Sequence, residues 1–85
     1  MTSKRKKADT ELGTMILRNM ARVIERERER RGLNKKEMAR LCEVTYPFYF
    51  QIVDGTANPS LQTITRISIN LDVPLQELMS GSAPL

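Results

Sequence analysis

Residues 32–55 read GLNKKEMARLCEVTYPFYFQIVDG. The stretch codes for two short helices and a turn between them. Gly32 ends whatever precedes it, because glycine takes up a left-handed backbone without side-chain cost. Asn34 followed by Glu37 is a capping-box pattern, so a helix is expected over residues 35–42. Met38, Ala39 and Cys42 fall on one side of that helix. Glu43 and Val44 form the turn, and Thr45 caps a second helix expected over residues 46–53. Pro47 suits a first helical turn, where its missing N–H bonds nothing, and it biases Tyr46 away from helical angles. Asp54-Gly55 closes the unit. The small Ala39 allows the two helices to cross closely. Val44 plugs the turn, and the first turn of the second helix projects outward.

The flanks extend this unit into an all-α chain. Residues 1–9 are polar and basic and lack the apolar side chains that would offset the entropy of ordering, so they read as a flexible arm. Asp9 or Thr10 caps a first helix running to about residue 31, with Leu12, Ile16, Met20, Val23 and Ile24 at three- and four-residue spacing. The alternating charges of residues 25–31 read as a solvated face. After the Thr56-Ala57-Asn58-Pro59 loop, Ser60 caps a fourth helix carrying Leu61, Ile64, Ile67 and Leu71. Val73-Pro74 opens a short fifth helix with Leu75, Leu78 and Met79. One domain over residues 10–79 follows, with a tail over residues 80–85.

Composition narrows the function. The chain has 85 residues, one cysteine and no histidine. That speaks against disulfides, a cysteine–histidine metal site and histidine-based acid–base chemistry. No nucleophile–base pair or phosphate-binding loop assembles, so an enzyme is not expected, nor a cofactor, metal or small-molecule ligand. No apolar run approaches the roughly 18 residues of a membrane span. A cytoplasmic, nucleoid-associated location is expected. Charge is lopsided: residues 1–40 hold 13 Lys/Arg against 6 Asp/Glu, whereas residues 41–85 hold Arg66 alone against four acids. A basic half and an acidic half point to a polyanionic partner, nucleic acid first.

These motifs resemble the Xre/Cro-type helix-turn-helix regulators, the family of the lambda-repressor-like DNA-binding domains. GLNKKEMARLCEVT (residues 32–45) matches the family's GLTQEELAEKLGVS, and DGTANPSLQTITRISINLDVPLQELM (residues 54–79) matches its xGxxxPSLxTLxKIAxALxVxLxxLL. The resemblance implies a five-helix lambda-repressor-like bundle whose helices 2 and 3 form the helix-turn-helix, behind a basic arm. It implies base readout at Tyr46, Pro47 and Gln51, to which the aromatic cluster adds Phe50 as a groove candidate, and phosphate contacts at Lys35, Thr45, Asn58 and Ser60. The arm residues Lys4, Arg5, Lys6 and Lys7 would wrap the duplex. Gln51 suits a bidentate pair with adenine N6 and N7. The implied function is sequence-specific binding of double-stranded DNA by a small homodimeric repressor on a palindromic operator. Ile69, Leu75 and Met79 are the expected dimer contacts.

Three features depart from the family pattern. Glu43 stands where the turn usually has glycine, so a left-handed backbone there costs about a kilocalorie per mole. Val53 stands where many members have a glutamate that pairs with the arginine at the Arg28 position. All four aromatic residues, Tyr46, Phe48, Tyr49 and Phe50, lie in one helix whose outward positions are usually polar. Tyr49 occupies the family's core position, while the other rings could face a groove, a partner or the core. An alternative is therefore a protein-interaction module on the same fold, antitoxin-like or an adaptor, that grips its partner with the aromatic helix 3.

Overall fold

The computed structural model describes the backbone of residues 2–82 and the side chains from Glu11 onward. The described residues form five helices: α1 (Thr2–Arg31), α2 (Lys35–Cys42), α3 (Tyr46–Val53), α4 (Leu61–Leu71) and α5 (Leu75–Ser80). The expected all-α architecture holds. Helix α1 forms the spine, packing against α3 and α5, while α2 packs against α3 and α4. Among the described residues no helix is long and apolar enough to cross a membrane.

Local chemistry sets each boundary. The Gly32 backbone is left-handed (φ 68°), and the N–H groups of Gly32 and Leu33 donate to the carbonyls of Glu29 and Arg28. The α2 capping box is complete: the Glu37 N–H donates to Asn34 Oδ1 at 2.8 Å, and the Asn34 N–H donates to Glu37 Oε1 at 2.9 Å. The side chains of Thr45 and Ser60 cap α3 and α4 by accepting from the N–H groups of Phe48 and Thr63. Each such cap is worth about 1 kcal/mol. Helix α3 begins at Tyr46, so the bias from Pro47 does not delay it. Glu43 ends α2 with φ 60° and ψ 42°, the strained left-handed cap that its place in the turn implied.

The start of α1 differs from expectation. Its helix reaches back to Thr2 instead of beginning at Thr10. Lysine, arginine and alanine are good helix formers, and no glycine or proline interrupts residues 2–12. The side chains of Lys4, Arg5, Lys6 and Lys7 lie outside the described set, as do residues 83–85 of the expected tail.

The core joins Met20, Val23 and Ile24 of α1 to Met38, Ala39 and Cys42 of α2. Tyr49 and Ile52 come from α3, Ile67 and Leu71 from α4, and Leu78 from α5, with Ala57 and Val73 from the loops. Burial raises the Cys42 thiol to about 11, so it packs as a small apolar group and stays protonated at neutral pH.

The charged end of α1 is not uniformly solvated, as its alternating pattern had implied. Glu27 is 5% exposed. It accepts from Arg30 at 2.6 Å, Arg26 at 3.2 Å and Arg31 at 3.5 Å. Arg26 continues to Glu77 of α5 at 2.6 Å, and Arg31 donates to the Leu71 carbonyl of α4 at 2.7 Å. The cluster pins the helix spine to the last two helices.

Candidate nucleic-acid interface

Helix α3 sorts its residues by helical angle. Tyr49 and Ile52 turn inward, and Phe48 lies half-buried against the core. Tyr46, Pro47, Phe50 and Gln51 remain exposed. They form two adjacent i,i+4 rows, 46/50 and 47/51, on one outward face. The structure thus brings together all four residues expected to read bases. Tyr46 and Phe50, 38% and 42% exposed, meet edge to face with centroids 4.8 Å apart. That geometry suits the ring quadrupoles. The four rings therefore divide into one in the core, one against it and a pair on the surface.

The loop after α3 holds this face from behind. The Gln51 carbonyl accepts from the N–H groups of both Thr56 and Ala57, each at 2.9 Å. Asp54 Oδ1 accepts from the N–H and hydroxyl of Thr56. The Gln51 backbone is fixed while its side chain points to solvent.

The other face of α3 is tied to α1 by a carboxylate that sequence reading passed over. Glu25 accepts from the Tyr49 hydroxyl at 2.5 Å, from Arg28 and from Lys35 Nζ at 3.0 Å. Partial burial pushes the Glu25 carboxyl upward, but hydrogen bonds from Arg28, Tyr49 and Lys35 outweigh it and hold the group down at about 2. Burial, reinforced by the Glu25 carboxylate, drives the Tyr49 hydroxyl well above its ordinary range. Arg28 loses its expected glutamate at position 53 and finds one three residues back on its own helix. It also donates to the Leu33 carbonyl at 2.8 Å. A tyrosine at the inward position of α3, opposite an acidic stretch of α1, was the signal for this contact. Periodicity alone cannot rank three glutamates spaced two apart.

The expected phosphate contacts fare differently. Thr45 is exposed and uses its oxygen as an acceptor for the α3 cap, leaving its hydroxyl proton free. Ser60 is engaged in the α4 cap and shares a hydrogen bond with the Thr63 hydroxyl at 3.0 Å. Asn58 is exposed beside Pro59 and lines a cleft with Gly13, Ile16 and Leu17 of α1. Lys35 is half-buried in its ion pair with Glu25. The expected dimer residues also separate. Ile69 is 71% exposed and shares a face of α4 with Leu61, 68% exposed. Leu75 is at the edge of exposure, and Met79 is half-buried, its carbonyl accepting from Asn19.

A capped α2, a three-residue turn and an α3 with one buried and one open face make up a helix-turn-helix module. The chain belongs to the helix-turn-helix family, whose model matches residues 24–78. It is similar to the HTH-type transcriptional regulator DdrOP3 of Deinococcus deserti, with 28% identity over 54 residues. The match covers 64% of this chain and 42% of that protein, so the chain spans less than half the length of that relative. No solved structure matches the chain.

Proposed function

We propose that the protein is a sequence-specific regulator of transcription that binds double-stranded DNA through the exposed face of α3. The supporting observation is the open row of Tyr46, Pro47, Phe50 and Gln51 on a helix held by caps and loop bonds at both ends. Gln51 would pair with an adenine edge, and the Tyr46–Phe50 rings would meet thymine methyls. Thr45, Asn58 and Ser60 would contact the backbone around the groove. Lys35 would reach a phosphate by exchanging Glu25 for it. The basic residues Lys4, Arg5, Lys6 and Lys7 would add the salt-dependent part of the affinity.

A single module reads few base pairs, so the protein acts in this reading as a homodimeric repressor on a palindromic operator in the cytoplasm, with half-sites about one turn apart. The exposed Leu61 and Ile69 on one face of α4, and Leu75 and Met79 on α5, would supply apolar contacts for pairing. Repression would follow from occupancy of the operator.

Selection of bound sites from a random duplex pool tests the proposal, using wild type and Gln51→Ala. A two-fold motif that relaxes at one position per half-site in the variant is the expected result. The exposed aromatic pair favours one competing reading, in which α3 grips a protein. An absent motif, together with duplex binding that vanishes at physiological salt, would replace the DNA reading with that one.

A further inference from the structure

Helix α3 carries no charged residue, so the attraction that seats it must come from its surroundings. The cation expected at the start of α2 is already engaged: Lys35 Nζ sits 3.0 Å from Glu25. Its neighbour differs. Lys36 is exposed and forms no ion pair among the described residues, and its Nζ stands 5.8 Å from the centre of the Tyr46 ring. Arg40, one turn further along α2, is exposed and equally unpaired among the described residues. The two line an open cleft of about 350 Å³ together with Ala39, Val44 and Tyr46.

Building on the DNA-binding reading, we infer that this cleft is a second phosphate-binding site, in which Lys36 and Arg40 clamp one strand beside the first turn of α3. Its position, spacing and free cations carry it. The cleft shares Tyr46 with the exposed face of α3, so a duplex seated there runs past it. Residues four apart on a helix have Cβ atoms roughly 5–6 Å apart. Neighbouring phosphates of one strand advance about 3.4 Å along the duplex axis, so two long cationic side chains span them. Neither Lys36 nor Arg40 has to release a carboxylate first, whereas Lys35 must leave Glu25. The Lys36 ammonium stands over the Tyr46 ring, within cation–π reach of its negative face.

The test reads affinity for the selected duplex over a range of potassium chloride concentrations. Lys36→Gln with Arg40→Gln should make the plot of log affinity against log salt shallower by about 1.8, about 0.9 for each phosphate left without its cation. Exchanging the cations, Lys36→Arg with Arg40→Lys, should retain the wild-type slope. The enriched motif should be the same in all three proteins, because phosphate contacts carry no sequence information. Thermal melts confirm that the variants fold, as expected for exposed positions. An unchanged slope in the double glutamine variant overturns the clamp while leaving DNA readout by α3 intact. A wild type that selects no duplex motif removes the DNA reading, and the clamp with it.

Discussion

Glu25 and Glu27 stand two residues apart on α1, and a helix turns about 200° over that interval. The first therefore faces α2 and α3, the second α4 and α5. Glu25 takes the Tyr49 hydroxyl, Arg28 and Lys35, and its side chain remains 23% exposed. Glu27 takes three arginines and is 6% exposed at the side chain. Both carboxyls lie below their ordinary range. For Glu27 the Arg30 hydrogen bond lowers the group against the opposing effect of burial, and Arg26 adds to it. One spine helix thus carries two independent anchors, one for the helix-turn-helix and one for the supporting helices. An alternating run of charges conceals this division, because every second residue lands on a different side.

The comparison breaks hardest at Glu27. Replacing it with alanine leaves Arg31 beside the core, where its Nε already has no hydrogen-bond partner. A loss of about 2–3 kcal/mol in urea unfolding is expected, below the full cost of breaking a buried pair because Arg26 and Arg30 can turn to water. Acid titration separates the two anchors next. The folded Glu25 carboxyl titrates at about 2, below its usual value of 4.5. The unfolded chain therefore takes up the proton first as pH falls. The contribution of Glu25 is complete above about pH 4.5 and drains away as pH falls towards 2. Unfolding curves of Glu25→Gln should show a flatter stability–pH profile in that window, and an identical profile would remove Glu25 as an anchor.

A smaller effect, about 1–2 kcal/mol, is expected for Tyr49→Phe, which deletes one hydrogen bond to a charged acceptor and keeps the packing. Combined with Glu25→Gln the losses should not add, whereas combined with Glu27→Ala they should. A double-mutant cycle reads both. The smallest effect comes from Glu43, which belongs to neither cluster. Its left-handed backbone favours glycine, so Glu43→Gly should raise stability by about 0.5–1 kcal/mol in the same unfolding measurement.

Boundaries were legible in the sequence wherever a single side chain bonds its own backbone. Asn34 with Glu37, Thr45 and Ser60 act over three residues, and their caps are where the letters place them. The core was legible from spacing in α2 and in the second half of α1. It was misleading at Leu12 and Leu61, which keep helical spacing yet lie exposed, because periodicity reports a face and not what covers it. The Glu25–Tyr49 contact joins residues 24 apart, and no local pattern encodes such a pairing. The division of the four rings likewise depends on the angle at which α3 crosses the core. Sequence reading placed Tyr49 inside and left Phe48 and Phe50 open.

The two loop amides on the Gln51 carbonyl hold main chain to main chain and ask nothing of the side chain in front. Under the proposed DNA-binding reading, residue 51 can be exchanged, and the preference of the helix with it, without retooling the loop that supports it.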